Sequence, residues 1–427
     1  MMKKKIVFGF VLCMLIALLA ACNSEESSSD GEGDQVTLDF WTMQLQPTFT
    51  DYIEDLVSTY EEENPNVKIN WVDVPASDLE QKLLSDISAG NEPDVVNLNP
   101  AFGSNLADMD ALVNLDEELS DEEKSVYLEG AWKANQLDGE TFALPWYLGT
   151  EIAFANTEIF KEAGVDPENA PTTYEEAAEL AKTVKDETGK YGYFPSFEGT
   201  LSMQYLVKMG VDLLNEDRTE AAFNTEKGVE AVQFFADLYK NGLIPPESLG
   251  EQREITSKFQ SGELAFGENV FMTEVKENAP EIYDVAKPYE ALTGSSGKKN
   301  LNVQNLVVPS GSEHKEESIK FAQYVTNSEN QLAFTKLTAI LPSTKETLED
   351  PYFTELPEDP EVADHERIIT AKQLPKAELL VPPMNNFNEL QTAIHDAFSK
   401  AMLEEATPQE ALNEAEKKWN EILASEE

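Results

Sequence analysis

Aromatic and amide side chains recur directly after the predicted strands of this chain. In the stretch "ALPWYLGTEIAFANTEIF", for example, Trp146 and Tyr147 stand between two apolar runs. Ligands of open α/β sheets bind beyond the carboxyl ends of the strands, so such positions are candidates for binding. Core packing explains any single aromatic equally well, but the repetition at several strand ends favours a binding surface. The candidates are Trp41, Gln44, Gln46, Asn97, Asn99, Trp146, Tyr147, Phe197, Glu198, Phe271, Asn385 and Phe387.

The chemistry of this set suits a neutral, hydroxyl-rich ligand. Tryptophan and tyrosine rings pack against the C–H faces of a sugar, while asparagine, glutamine and glutamate side chains hydrogen-bond hydroxyl groups. A pocket of aromatic rings with a few polar groups is typical of sites for small molecules. The sequence therefore predicts a neutral polyol as the ligand.

Motifs for catalysis and metal binding are weak in this sequence. The three histidines, His314, His365 and His395, are far apart, and the H-E-x-x-H and C-x-x-C spacings of zinc sites do not occur. Neither a G-x-S-x-G elbow nor a phosphate-binding glycine loop is present. We therefore predict no cofactor, no metal site and no catalytic residue. Carboxylate pairs among the 81 acidic residues leave a secreted glycoside-active enzyme as the alternative.

The charge of the chain is strongly negative. Its formal net charge is −50, and its arginines are Arg218, Arg253 and Arg367. Nucleic acids and anionic lipids are bound by clustered cations, and phosphate-bearing ligands usually recruit bidentate arginine. We therefore expect no nucleic-acid partner and a ligand without phosphate.

The N-terminus has the pattern of an export signal that ends in a lipid anchor. Three lysines at positions 3–5 precede an apolar run over residues 6–21, which has the length of a signal-peptide core. The run ends in "LLAAC", and small residues directly before Cys22 resemble a lipobox, which implies cleavage there and lipidation of the thiol. We expect a signal peptide over residues 1–21 and a flexible polar tether over residues 22–35. The protein would then be lipid-anchored at the extracellular face of the cell membrane. Separately, we expect it to be a monomer.

Strand and helix patterns alternate from Val36 onward. The segments "VTLDF", "VKINWVDV" and "PDVVNLN" have strand patterns, and two segments with helical spacing of apolar residues separate them. Such a β-α-β-α-β series predicts a mostly parallel sheet with helices on both faces. The second half alternates in the same way with more helix, and the length allows two domains.

One long segment resembles a known family. The stretch "EIAFANTEIFKEAGVDPENAPTTYEEAAELAKTVKDETGKYGY" is similar to the signature region of the family-1 extracellular solute-binding proteins of ABC importers, the group that includes maltose-binding protein. Two positions depart from the family pattern, since Ala155 stands where tyrosine is usual and Tyr174 where tryptophan is usual. The matching positions are Asn156, Lys161, Ala163, Gly164, Pro171, Thr173 and Glu175.

This resemblance implies a two-lobed α/β fold, the class II arrangement of periplasmic binding proteins, with a ligand cleft between the lobes. Gly149 and Thr150 would be hinge residues. The chain would cross between the lobes near residues 147–152, 303–307 and 339–343. The expected division is 36–147 and then 305–340 for lobe 1, and 148–304 and then 341–427 for lobe 2.

The same resemblance implies a function. A receptor of this family captures a mono- or oligosaccharide by hinge closure and delivers it to the membrane permease of an ABC importer. Trp146 and Tyr147 would form a wall of the cleft, and Glu198 would lie near a sugar-contacting acid. Phe271 or Met272 would lie near one position where maltose-binding protein stacks a tryptophan, and Phe387 would lie near another. The missing tryptophans favour a smaller sugar or another neutral oligosaccharide over a long maltodextrin.

Overall fold

The computed structural model describes residues 35–384 and 386–424. The expected signal peptide, Cys22, the tether before residue 35, and Asn385 lie outside the described residues, so the predictions for them stay predictions. No helix in these two ranges combines the length and apolar character needed to cross a membrane.

Twelve strands occur in the described ranges. They are β1 (Val36–Met43), β2 (Val67–Val74), β3 (Val95–Leu98), β4 (Gln136–Leu137), β5 (Glu140–Thr141), β6 (Leu144–Thr150), β7 (Ile152–Asn156), β8 (Phe266–Glu268), β9 (Ala286–Glu290), β10 (Lys299–Val307), β11 (Leu341–Pro342) and β12 (Ala377–Glu378).

The α-helices of the same ranges lie between and around these strands. They are α1 (Thr50–Glu63), α2 (Ala76–Ala89), α3 (Pro100–Asp108), α4 (Leu115–Glu118), α5 (Asp121–Ser125), α6 (Glu129–Lys133), α7 (Thr157–Glu162), α8 (Tyr174–Thr188), α9 (Leu201–Lys208), α10 (Glu226–Lys240), α11 (Arg253–Gln260), α12 (Met272–Asn278), α13 (Pro280–Tyr283), α14 (Lys315–Val325), α15 (Ser328–Thr335), α16 (Lys345–Leu348), α17 (Pro351–Thr354), α18 (Val362–Gln373), α19 (Phe387–Met402) and α20 (Pro408–Leu423).

Local sequence signals account for several helix ends. Helix α20 begins with Pro408, where the missing N–H costs nothing, behind a capping box of Thr407 and Glu410. Helix α2 ends at Gly90, which takes the left-handed conformation that favours glycine. These helix ends can be predicted from the sequence without knowledge of the tertiary structure.

The larger sheet has the order β11-β6-β10-β3-β1-β2, with β12 beside β10. Strand β1 is parallel to both β2 and β3, as the sequence predicts. Strand β10 is antiparallel to β3 and to β6, so β6 runs in the same direction as β1–β3. The carboxyl ends of β1, β2, β3 and β6 therefore lie toward one edge of this sheet.

The smaller sheet has the order β8-β7-β9, and both of its pairs are antiparallel. The prediction of mostly parallel sheets is wrong for this one, because the strand pattern shows that a segment is extended but not which way its neighbour runs. Since β8 and β9 oppose β7, their carboxyl ends lie beside Ile152, the first residue of β7. This is the end at which the chain arrives from the larger sheet.

The passages between the two sheets follow from the strand pairings. Glu151 alone separates β6 from β7, inside the predicted segment 147–152. The second passage is residues 291–298, because β9 belongs to the smaller sheet and residues 303–307 already pair within the larger one. Residues 341–342 also pair with β6, so the segment 339–343 stays beside the larger sheet. The lobe boundaries proposed from the sequence stay predictions, and the pairings favour these revised passages.

Helices cover each sheet and fill the cores. On one face of the larger sheet, Ile53 of α1 and Phe321 of α14 pack with Phe40, and on the other face Leu83 of α2 packs with Val96. The core beside the smaller sheet is formed largely by helices, including α8, α10, α19 and α20. The second half is therefore richer in helix, as its sequence predicts.

Candidate ligand-binding site

The pair of strands β6 and β10, called the ribbon below, has one covered and one partly open face. Leu148, Leu301 and Val303 are buried in a core with residues of α6 and α18. The alternate residues on the other face are less buried: Tyr147 pairs with Gln304, and Gly149 pairs with Asn302. This open face is defined by Tyr147, Gly149, Asn302 and Gln304. It carries one aromatic ring and two neutral amides, and Gly149 leaves a space without a side chain between them.

The end of β3 adds a buried amide beside this face. The Asn97 Nδ2 donates to Asn305 O at 3.1 Å and to Gln304 Oε1 at 3.4 Å. Asn97 and Asn305 are fully buried, and the Asn97 Oδ1 and both side-chain polar atoms of Asn305 have no protein partner. Strand alternation places Asn97 on the side of Gln304 and Asn305 on the opposite side. Because an unpaired buried amide is costly, the Asn97 Oδ1 would gain from a hydroxyl group or a water molecule at this point.

A carboxylate in β2 organises the loop after β1. The Asp73 Oδ1 accepts from Thr42 Oγ1 at 2.7 Å and from the Leu45 N–H at 2.9 Å, and its Oδ2 accepts from the Gln46 N–H at 2.9 Å. Gln44 lies within this loop with φ of 54°, and Gln46 is exposed. The loop is therefore held at the carboxyl end of β1 with its glutamines outside the core.

On the smaller-sheet side, Glu198 and Phe271 both contact the segment of Gln252 and Arg253. Phe271 follows β8 and is 46% exposed. Arg253 lies over its ring, 6.0 Å from the centroid, and pairs with Glu274 at 2.5 Å. Glu198 is exposed, and its Oε2 accepts from the backbone N–H of Gln252 at 2.6 Å.

Two of the predicted contacts are core residues. Trp146 is fully buried, and its ring stacks on Phe334 with the centroids 5.4 Å apart. Phe197 is also fully buried, with Phe235 and Phe398 at centroid distances of 5.2 and 5.1 Å. The prediction that these two rings face a ligand is wrong for this conformation, because both side chains point into apolar cores.

Other predicted residues have mainly structural roles here. Trp41 is 5% exposed, and the Lys82 Nζ covers its ring at 3.4 Å from the centroid. The Asn99 side chain caps α3 by accepting from the Phe102 N–H at 2.9 Å. Phe387 begins α19 and is half-buried against the helical core.

The proposed hinge residues lie inside a strand. Gly149 and Thr150 belong to β6 and pair with Asn302 and Leu301 of β10. The residue between the sheets is Glu151, so it is a better candidate for a pivot than either of them.

Asn302, Gln304 and Asp73 were missed by sequence reasoning. A signal for the first two exists, because "LNVQ" alternates apolar and amide residues and a strand places them on opposite faces. For Asp73 the sequence offers no such signal, since its partners come from another strand and its loop.

A buried cluster of charges lies where β7 begins. The Lys208 Nζ contacts the Glu151 Oε2 at 2.5 Å, and the Glu268 Oε1 accepts from the Leu292 N–H at 3.0 Å. Burial raises the pKa of Glu268 to about 7, while the charge of Lys208 lowers this pKa and that of Glu151 raises it. These groups connect Glu151 with residues of the smaller-sheet lobe.

The family model of the bacterial extracellular solute-binding proteins matches residues 55–363. The chain belongs to this family. Its two-sheet architecture is that of the two-lobed periplasmic binding proteins, as the sequence predicts. A solute-binding protein holds a ligand without converting it, so the alternative of a glycoside-active enzyme is set aside.

Solved and curated relatives extend over nearly the whole chain. A protein of Synechococcus sp. MITs9220, assigned to the oligosaccharide periplasmic-binding proteins, is 33% identical with a TM-score of 0.81, covering 91% of this chain and 99% of its own. The galactooligosaccharide-binding protein of Bacillus subtilis is 24% identical, covering 95% of this chain and 94% of its own length. The sn-glycerol-3-phosphate-binding periplasmic protein of Pectobacterium atrosepticum is 23% identical, covering 96% of both.

Proposed function

We propose that this solute-binding protein is a lipid-anchored receptor for a neutral mono- or oligosaccharide. It captures the sugar between its lobes at the extracellular face of the cell membrane and delivers it to the permease of an ABC importer. The relatives described as oligosaccharide-binding support a sugar as the ligand.

The observation that carries this proposal is the open face of the ribbon. Tyr147 offers part of a ring, Asn302 and Gln304 offer neutral amides, and Gly149 leaves space between them. Amides donate to and accept from hydroxyl groups, and they need no counter-charge. A neutral polyol satisfies such a surface, whereas a charged ligand would need a charged partner.

The arginines argue against a phosphate ligand. Arg253, which lies over the Phe271 ring, is already paired with Glu274. Arg218 donates to Pro383 O, and Arg367 pairs with Asp364 at 2.7 Å. Recruiting one of them for a phosphate would break an existing contact.

Hinge closure follows from the placement of the candidates on two lobes. The open face, Gln44 and Gln46 belong to the larger-sheet lobe, whereas Glu198 and Phe271 belong to the smaller-sheet lobe. A ligand that contacts both sets favours the closed state by its differential affinity for that state.

The test is a thermal-shift screen of the purified protein against a sugar library, followed by titration calorimetry. A ligand at 100 times its Kd should stabilise the native state by about 2.7 kcal/mol. The screen includes sn-glycerol 3-phosphate, and a shift by this compound alone would contradict the proposal. Incubation of each hit with the protein should release no reducing sugar.

Lipid anchoring has its own test. Mass spectrometry of the protein from the membrane fraction should find a chain that begins at Cys22 and carries a diacylglyceryl group, and the variant Cys22→Ser should lack this group. A native chain with an unmodified Cys22 would refute lipidation at this cysteine.

A further inference from the structure

One amide side chain contacts both of the first two passages between the sheets. Gln373, the last residue of α18, is 2% exposed. Its Nε2 donates to the Glu151 carbonyl oxygen and, at 3.4 Å, to Thr150 Oγ1. Its Oε1 accepts from the Ala291 N–H at 3.3 Å and from the Lys299 Nζ at 3.0 Å. The passage at Glu151 and the passage 291–298 are thereby tied to the same helix.

Both passages are also fastened to the smaller-sheet lobe. The Glu151 carboxylate pairs with Lys208 at 2.5 Å, and the Lys208 carbonyl accepts from Ser296 Oγ at 2.7 Å. The Leu292 N–H donates to Glu268 at 3.0 Å. On this side of the hinge, little backbone freedom is left in either passage.

On the side of the larger sheet, the two passages differ in length and in the conformational freedom of their backbone. The first is the single residue Glu151, directly after the last ribbon pair, Thr150 with Leu301. The second contains Gly297, which has φ of 68° and open space where a Cβ would lie. Strand pairs join the two passages at their ends, Thr150 with Leu301 and Ile152 with Glu290. Between these pairs, the Gln373 side chain contacts both passages.

We propose that Gln373 is a positioning residue that makes the two passages bend together, so that the lobes move about one axis. This inference rests on the hinge closure in the proposed function but not on the identity of the ligand. Gln373 orders the hinge in the free protein and does not contact the ligand.

The chain offers a matched control for this residue. Gln331 is 1% exposed, and its Nε2 donates to Thr326 O at 2.6 Å and to Ser343 Oγ at 2.8 Å, while its Oε1 accepts from the Ser343 N–H at 2.6 Å. All of these partners lie beside the larger sheet. Gln331→Leu therefore removes a similar number of buried hydrogen bonds as Gln373→Leu without touching a passage.

The test measures interlobe distances in the protein without ligand. Spin labels are placed at the exposed positions of Glu122→Cys on α5 and Glu230→Cys on α10, with Cys13 and Cys22 replaced by serine. Double electron–electron resonance then gives the distance distribution for the native hinge and for both leucine variants. Because no ligand is added, failure of this inference is distinguishable from failure of the sugar assignment.

We expect Gln373→Leu to broaden the distribution and Gln331→Leu to leave it as in the native hinge. A native distribution in Gln373→Leu, or equal broadening in both variants, would overturn the inference.

If Gln373→Leu does not fold, the variant Gln373→Glu is used instead, since it keeps the acceptor for Ala291 and Lys299 but loses the donor to Glu151. Hydrogen exchange of Gln373→Glu should then rise at residues 150–152 and stay native at residue 291, and unchanged exchange at 150–152 would equally overturn the inference.

Discussion

Two groups of buried polar side chains lie on the two sides of Glu151, unpaired amides near the end of β3 in the larger-sheet lobe and an ion pair with Lys208 in the smaller-sheet lobe. Asn97 and Asn305 are fully buried with unpaired polar atoms at the end of β3. On the other side of Glu151, the buried ionisable groups include Lys208 and Glu268. Amides can exchange a protein partner for a ligand hydroxyl at little cost, but a buried charge cannot leave its partner. We therefore expect the first lobe to contribute exchangeable contacts to the ligand and the buried charges of the second to fix the hinge, and the following predictions test this difference.

The largest effect is expected from breaking the buried ion pair. Lys208→Met should lower the free energy of unfolding by about 3–5 kcal/mol, because it leaves the Glu151 carboxylate buried without a counter-charge. Urea unfolding measures this loss. As a control, Lys133→Met breaks the exposed pair with Glu129 and should leave the urea midpoint unchanged. Equal effects of the two variants would refute the fixing role of the buried pair.

A similar loss of stability is expected at Trp146, without a loss of affinity. Trp146→Ala removes a fully buried ring and should cost about 3–5 kcal/mol of unfolding free energy. Tyr147→Ala, on the open face, should instead weaken binding of the screened sugar by about 1–3 kcal/mol. Calorimetry at a temperature where both variants are folded separates the two roles. The Trp146 ring packs against Tyr147 with the centroids 5.2 Å apart, so a small loss of affinity in Trp146→Ala is compatible with these roles. A larger loss of affinity in Trp146→Ala than in Tyr147→Ala would contradict them.

The buried charges also predict a dependence of stability on pH. Glu268 has a pKa of about 7 in the folded protein against an ordinary value of 4.5, so the folded state binds the extra proton between these values. Its contribution to stability is full below about pH 4.5 and is lost as the pH rises through about 7. Glu268→Gln should therefore reduce the fall in unfolding free energy between pH 5 and pH 8. An identical fall in both proteins, measured by urea unfolding, would contradict the raised pKa.

The smallest effect on stability is expected at Gly149. A Cβ there would meet only the Asn302 Cβ at 3.8 Å, so Gly149→Phe should fold normally and fill the open face. We expect at least a tenfold weaker affinity for the screened sugar, which is about 1.4 kcal/mol. On the covered side, a Cβ at Gly130 would lie 2.5 Å from Ala377 O, so Gly130→Ala should destabilise the fold instead. Normal affinity of Gly149→Phe would remove the ribbon face from the site.

Several candidate contacts could be predicted from their positions directly after strands, and the predictions that were wrong have a common cause. Phe271 and Gln46 follow strands and are exposed, as a contact must be. Trp146 and Phe197 also follow apolar segments but lie in cores. The sequence places a ring near the end of a strand, but helices from elsewhere in the chain decide which face of that strand is covered.

The resemblance of the sequence to a known family implied the two-lobed class. The sequence by itself determined the alternating elements, several helix ends and the neutral character of the candidate contacts, because these properties depend on local periodicity, capping and residue type, which a short segment carries. The tertiary structure decided the antiparallel smaller sheet, the passage at residues 291–298, the open face of the ribbon and the contacts of Gln373. Each of these depends on groups far apart in the chain, such as Gln373 and Glu151, and strand register and helix docking alone bring them within hydrogen-bond distance.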